Sequence, residues 1–306
     1  MHSLQAPPAV VMIRPHAFAS NPETRDDNAF QTLANRSAAA TSAQARDEHD
    51  QVVALLRDAG VKVHVFDDHG DLDTPDSVFP NNWFSTHPGG HVAIYPMFVP
   101  SRRRERRADV IEMLKQEYRV QDVIDYSGLE QDKLALEGTG AMVLDHVGRV
   151  AYTVKSNRAD PVLLERFCTH FNYEPIVFEA HDAEGRNVYH TNVLMGIGSE
   201  YALICLDMIT DPERRATVKA RLEESGRTVI DLTHEQIAEF AGNAIELSGR
   251  DGLVLALSSR ALAALTPDQL ATIEASATPL PLLVPTIETA GGSVRCMIAG
   301  IHLSRR

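Results

Sequence analysis

"GAMVLDHVGRVAYTV", residues 140–154, carries two apolar runs broken at "HVGR". Short apolar runs separated by a glycine-containing turn read as a β-hairpin. A helical pattern from about 160 and the strand-like "EPIVFEA" (174–180) follow. An open doubly wound sheet would place single strands between helices, so a hairpin argues against it. No GxGxxG stands in a strand–helix context either.

The same order of helix, strand, loop and hairpin recurs along the chain. A helical pattern near 42–59 precedes "VKVHVF" (61–66) and a hairpin over 83–96 turning at "HPGG". One near 102–117 precedes "RVQDVIDY" (119–126) and the opening hairpin. "EPIVFEA" leads to the hairpin "NVLMGIGSEYALICL" (192–206). "PERRATVKARLEES" (212–225) leads to "RTVIDL" (227–232), a short helix and the hairpin "AIELSGRDGLVLAL" (244–257). "SSRALAALTPDQLATIEAS" (258–276) leads to "PLLVP" (281–285) and an apolar strand holding Cys296. The N-terminal "AVVMIRP" (9–15) is left to pair with that last strand.

Asn82, Glu137, His190, Asn243 and Cys296 stand at or just before the hairpins, 55, 53, 53 and 53 residues apart. Periods of this size mark a repeated supersecondary unit. The expectation is an α/β fold: a five-bladed, pseudo-symmetric α/β propeller forming a single catalytic domain over 1–306. Equivalent positions of such a ring converge on its axis, which would gather Glu137, His190 and Cys296.

The 306 residues suffice for a substantial core, and 44% hydrophobic with 23% charged residues is ordinary for a globular chain. A formal charge of -13 argues against nucleic acid or an anionic membrane as partner. No run approaches the roughly 20 apolar residues of a membrane span, and "MHSLQAPPAV" lacks the plan of a signal peptide. Three scattered cysteines, with no CxxC or HExxH, suit neither a disulfide framework nor a metal site. These features predict a cytoplasmic protein with free thiols. His87 and His91 flank a turn and read as solvated. The basic cluster "SRRRERR" (101–107) reads as a solvated helix face.

A cysteine on an apolar strand is usually a small core residue, the reading given to Cys168 and Cys205. Cys296 differs because it shares a repeat phase with a histidine and a carboxylate. A thiol becomes a nucleophile beside a base or positive charge. His190 in "VYHTNVLM" is the candidate acid and base, and Glu137 in "LALEGTGAMVLD" is a carboxylate needing a partner. Together they suit attack on an electrophilic, amide-like carbon.

"PDSVFPNNW" (75–83), "LEGTG" (136–140), "HTN" (190–192) and "GGSVRCM" (291–297) resemble, in order and spacing, the guanidino-group modifying superfamily. That superfamily includes arginine deiminases, dimethylarginine hydrolases, amidinotransferases and dihydrolases, and has the five-bladed α/β propeller (pentein) fold. The resemblance covers nearly the whole chain and is nearest the citrulline-utilisation hydrolases. It implies Cys296 as nucleophile, His190 as acid/base and Glu137 as the carboxylate that binds the reacting group and orients His190. It further implies Asp76 as a substrate-holding acid. Arg102 in "SRR" and Arg158 in "SNR" look like clamps for a substrate α-carboxylate. No metal or organic cofactor is implied.

Asn82 and Asn192 stand where relatives that bind a cationic guanidinium carry Asp. Neutral amides suit a neutral ureido group, whose carbonyl needs donors, better than a buried cation. The expected substrate is L-citrulline, giving L-ornithine, ammonia and carbon dioxide. Asn82, Asn192 and backbone N–H groups would bind the oxyanion, at about 3 kcal/mol each. Alternatives are an arginine or succinylarginine dihydrolase, a dimethylarginine-type amidinohydrolase, an amidinotransferase, or a propeller that only binds. Asn21 and Asn28, in "SNPETRDDNAF" (20–30), could reach the site from the loop after the first strand, but read first as turn and cap residues. The roles of Asn21, Asn28 and Asn243, and whether the protein is a homo-oligomer, are left open.

Overall fold

The computed structural model describes residues 4–32 and 37–306. Strands β1 (Ala9–Arg14) and β2 (Lys62–Asp67) run parallel, joined through the helix Ala38–Asp58. Four further sheets repeat one plan. Each is a hairpin whose second strand continues through a helix into a parallel third strand. They are β3 (Phe84–His87), β4 (His91–Ile94) and β5 (Asp122–Asp125); β6 (Met142–Asp145), β7 (Val150–Val154) and β8 (Glu174–Phe178). Next come β9 (Met195–Ile197), β10 (Tyr201–Ile204) and β11 (Thr228–Asp231), then β12 (Ile245–Ser248), β13 (Leu253–Ser258) and β14 (Ala277–Leu282). The last strand, β15 (Ala299–Gly300), pairs antiparallel with β1, so the C-terminal strand completes the N-terminal sheet on the same plan.

The fold is thus a mixed α/β structure of five three-stranded sheets. The repeat identified from sequence is present, but a sheet is cut differently: the hairpin comes first and the helix and parallel strand follow. A parallel pair needs a long crossover, which the helix supplies.

Local chemistry starts these helices alike. Asp160–Pro161, Asp211–Pro212 and Thr266–Pro267 each place a capping oxygen before a proline at the first helical position. The caps stop backbone donors from being orphaned where the chain leaves a strand.

Burial grades outward. Strands β6 and β7 are buried throughout, whereas the third strands β5, β8 and β11 expose residues at intervals. First strands of neighbouring sheets meet: β15 touches β3, β6 touches β9, and β9 touches β12. The short helix Gly138–Ala141 contacts both β3 and β6. Residues preceding these first strands are therefore brought together from distant parts of the chain.

Several expectations shift. The pattern near 102–117 is two helices, Pro100–Arg103 and Ala108–Glu117, and that over 258–276 is Ser259–Ala264 plus Pro267–Glu274. In the second, the Thr266 capping box and Pro267 reopen the helix; in the first, the chain reopens at Arg107 without a side-chain cap. The strand expected at 281–285 lies at Ala277–Leu282 instead. Cys296 sits in a turn before β15 rather than on a strand. Glu137 precedes the helix Gly138–Ala141 rather than lying on a strand. His87 is fully buried among Phe167, Phe171 and Tyr173, contrary to the solvated reading, because its strand is the innermost of its sheet. Among the described residues no helix is long and apolar enough to cross a membrane.

Candidate active site

Cys296, His190, Asp76, Asn82, Arg102 and Arg158 line one small cavity of about 20 Å³, which has room for roughly one water. The larger surface concavities, of about 480 and 740 Å³, contain none of them. Volume does not locate the chemistry here; the side chains do.

Glu137 Oε2 lies 2.8 Å from His190 Nε2, the closest pairing among the candidates. Arg158 Nη1 stands 3.4 Å and Arg102 Nη1 3.7 Å from the same oxygen. Burial pushes the Glu137 carboxyl up, but Arg158, the His190 hydrogen bond and Arg102 outweigh it and hold the group well below the usual range. Burial also dominates at His190, lowering it to about 4 against the upward pull of Glu137. His190 is therefore neutral at pH 7, free to accept a proton.

The Cys296 sulfur faces two side-chain donors. Asn192 Nδ2 and Asn243 Nδ2 each lie 3.3 Å from Sγ. Asn243 also anchors the turn: its Oδ1 accepts from the backbone N–H of Arg295 at 3.1 Å, and its Nδ2 also lies 2.9 Å from Asn192 O. The backbone N–H of Cys296 donates to Ser293 O at 3.0 Å. That N–H serves the turn, so the expected backbone oxyanion donor is not this one. Cys168 and Cys205 are buried in apolar clusters, and burial raises their thiols to about 12 and about 11.

Asn82 lines the cavity but is otherwise engaged. With its amide oxygen turned to Arg102, it accepts from Nη1 at 2.8 Å and Nη2 at 3.0 Å, while its nitrogen donates to Asn81 Oδ1 at 3.3 Å. Of the two amides expected at the reacting carbon, Asn192 faces the sulfur, and Asn243 stands where Asn82 was expected.

Both arginine forks hold carboxylates of the protein itself. Glu105 accepts from Arg102 Nε and Nη2, each at 3.0 Å, and Asp76 is 3.8 Å away. Burial raises Glu105 to about 7 despite that contact, because one guanidinium is shared among Glu105, Asp76 and Glu137. Burial likewise raises Asp76, against Arg102 and the Asn21 hydrogen bond. Asp27 accepts from Arg158 Nε at 2.9 Å and Nη2 at 2.5 Å. The guanidinium lies 4.8 Å over the Tyr189 ring. The remaining arginines of 103–107 also pair, Arg106 with Glu130 and Arg107 with Asp109.

Asp27 belongs to the segment after β1, which lies against the site. Asn21 Nδ2 donates to Asp76 at 2.9 Å and Ser101 Oγ at 3.0 Å, while its Oδ1 caps a 3-10 turn at Glu23. Asn28 donates to Ala290 O at 3.1 Å and lines the cavity. Both do serve turns, and they also reach the site: Asn28 lines the cavity, and Asn21 holds the Asp76 that lines it. Sequence reasoning passed over Asp27, Glu105 and Tyr189. "RDD" (25–27) was legible only as a surface run, and Tyr189 only by its adjacency to His190.

"LEGTG" shows how sequence sets this geometry. A Cβ on Gly140 would lie 2.2 Å from the Asn82 side-chain amide and 2.8 Å from His190 Nδ1. Gly138 takes φ +47° with its missing Cβ 2.5 Å from Asn81 O. Only glycine lets the helix Gly138–Ala141 pack this closely. Among the described residues, no three His, Cys, Asp or Glu side chains cluster as metal ligands.

The eukaryotic N,N-dimethylarginine dimethylhydrolase family matches residues 14–303. No curated protein sequence matches the chain. The N-terminal domain of ArgZ, an arginine dihydrolase from the ornithine–ammonia cycle in cyanobacteria, superposes with a TM-score of 0.74 at 16% identity, over 96% of this chain and 99% of that one. Unliganded AgrE gives 0.73 at 15% identity, over 95% of this chain but 38% of its own length. DDAH from Pseudomonas aeruginosa, a cysteine-to-serine mutant complexed with citrulline, gives 0.64 at 14% identity over 100% of both chains. At these identities the superpositions speak for the fold, whereas the family match covers nearly all of the chain. The protein belongs to the N,N-dimethylarginine dimethylhydrolase family, within the guanidino-modifying pentein superfamily.

Proposed function

We propose that this protein is a cysteine-dependent hydrolase of a ureido amino acid, with L-citrulline as substrate and L-ornithine, ammonia and carbon dioxide as products. The observation that carries this reading is the shell of neutral amides at the nucleophile: Asn192 and Asn243 both direct Nδ2 at Cys296 Sγ. A guanidinium needs carboxylates that are free to face it. Asp76 is held by Asn21, and Glu137 lies among His190, Arg158 and Arg102. A neutral carbonyl in the same place needs N–H donors, which the amides are.

In this mechanism the Cys296 thiol gives its proton to the neutral His190 imidazole, and the sulfur attacks the ureido carbon and forms the C–S bond. The carbonyl electron pair moves onto oxygen, and the amide N–H groups stabilise the resulting oxyanion. The tetrahedral adduct collapses as an amine leaves, taking a proton from His190. Water then attacks the thioester-like adduct, giving a proton to His190; the C–S bond breaks, His190 returns that proton to the sulfur, and the carbamic acid released splits into carbon dioxide and the second amine. Glu137 holds the imidazole and stabilises its protonated form. The sum is citrulline plus water to ornithine, ammonia and carbon dioxide.

We further infer that the five sheets are the blades of a propeller spanning one domain, with the site on its axis. Substrate access then requires the segment around Asp27 to withdraw, since about 20 Å³ cannot admit an amino acid. The substrate carboxylate would replace Asp27 on Arg158.

A second reading is an arginine dihydrolase, favoured by the likeness to the ArgZ domain over nearly the whole of both chains. The test measures ornithine and ammonia released from L-citrulline and, separately, from L-arginine, with N,N-dimethylarginine as a third arm. Turnover of citrulline alone, reduced ~10³-fold or more in Cys296→Ser, is the expected result. Ornithine from arginine with two ammonia per turnover assigns the dihydrolase instead. Citrulline accumulating from dimethylarginine defeats the ureido reading.

A further inference from the structure

Arg295 immediately precedes Cys296, but its side chain lines a different space. It borders two small cavities of about 40 and 20 Å³, each also walled by His146 and His302. Neither includes Cys296, which lines the cavity described above. Arg295 is mostly buried, and its Nη1 donates to Ile298 O at 3.0 Å. Among the described residues no carboxylate pairs with it, and burial lowers its pKa to about 10 against the upward pull of the adjacent Cys296 sulfur.

The neighbouring histidines are neutral, because burial holds His146 and His302 well below the ordinary value, so they neither add charge nor cancel it. His146 and His302 stack with centroids 3.7 Å apart, and His87 lies 6.1 Å from His146. The carboxyl bordering the first cavity is Glu246, whose Oε2 accepts from Ser199 N at 2.8 Å and Oγ at 2.5 Å. Burial raises its pKa against the hydrogen bonds from Ser199 and Tyr201 and the charge of Arg227, so its partners are other than Arg295. Gln5, on the same wall, spends its amide on Leu144 O, Ile197 O and the His146 N–H.

An enclosed guanidinium without a counter-charge carries an uncompensated desolvation cost. The two spaces exceed the roughly 10–15 Å³ that admits one water, and are too small for an amino acid. We propose that this chamber binds a small inorganic monovalent anion, chloride or hydrogencarbonate, on the Arg295 guanidinium beside His146 and His302. The site is independent of the substrate reading, so either can fail alone.

The test is thermal unfolding of the intact protein at fixed pH and ionic strength, replacing gluconate stepwise by chloride or by hydrogencarbonate. Gluconate is too bulky for the chamber. A saturable rise in Tm of about 2 °C or more is expected with at least one of the small anions. The anion that produces it identifies the source. The rise should vanish in Arg295→Met. Should that variant fail to fold, crystals of the natural protein soaked in bromide serve instead, with an anomalous peak at the guanidinium as the expected result. Unfolding that is indifferent to both anions, or bromide density elsewhere but not at Arg295, overturns the proposal.

Discussion

Asp27 shows what a single residue does in this site. Its carboxylate fills the Nε–Nη2 edge of Arg158, the edge best matched to a planar carboxylate. Any substrate carboxylate using that edge competes with it. Asp27→Ala should therefore lower KM for the amino acid, by about 10-fold if roughly one charged hydrogen bond's worth of competition is removed, with little change in kcat. Steady-state kinetics would check this, and a raised KM would mean that Asp27 assists binding instead. Gly140 makes the complementary case. Gly140→Ala would push a methyl into Asn82 and His190. Misplacement on the ångström scale costs about 10²-fold in rate. We expect kcat to fall by about that factor while the far-ultraviolet circular dichroism stays native.

At the scale of elements, buried charge pairs join one sheet to the next. Asp145 ends β6, and Arg227 stands just before β11 of the following sheet. Nη1 and Nη2 reach the carboxylate at 2.6 and 3.0 Å, and both side chains are buried. Asp145 also accepts from Val147 N and Gly148 N in its own hairpin turn. Removing one partner of such a pair strands the other, which costs about 3–5 kcal/mol. Arg227→Ala should lower the unfolding free energy by roughly 3 kcal/mol in urea titrations. A change under about 1 kcal/mol would mean that water replaces the guanidinium. The repeat itself was legible at this scale, because hairpins and capped helices are local. Its cutting point was not. Whether a strand pairs with the hairpin before or after it depends on which edge is free, and no local pattern records that.

For the molecule as a whole, the buried histidines set the response to acid. Burial lowers His190 to about 4 and His302 to about 3, and moves His87 and His146 well below the ordinary value. Each is depressed relative to the unfolded chain, whose histidines titrate near 6.5. Their stabilising contribution is thus complete above about pH 6.5 and is lost as pH falls toward the folded values. Glu105, raised to about 7, works in the opposite sense by binding a proton first in the folded state, as do Glu48, Asp76, Glu246 and Glu288, which burial also raises. Burial also lowers His49 and His64, and all these histidines titrate within pH 7 to 5 in the unfolded chain, so the urea midpoint should fall as the pH drops over that interval. A midpoint that is flat or rises over that interval would contradict this account.

The candidate triad was legible in sequence because the repeat spacing put Glu137, His190 and Cys296 in one phase. Glu137 and His190 do meet, at 2.8 Å. Asn243 shares that phase too, yet its direction toward Sγ depends on a turn closed by Arg295, and direction is not encoded in spacing. The partners of Arg102 and Arg158 were beyond reach for a similar reason. Glu105 is three residues from Arg102, while Asp27 is 131 residues from Arg158.

Composition, periodicity and motif order by themselves determined the mixed α/β class, the repeat behind the five sheets and the candidate residue types. These follow from propensities and spacings that act over a few residues or repeat along the chain. Only the tertiary structure decided which amides face the thiol, which carboxylates hold the arginine forks, and that Arg295 turns away from Cys296 into its own chamber. Those outcomes depend on long-range packing, where burial makes every unpaired charge costly and each group settles on the partner the fold brings within reach.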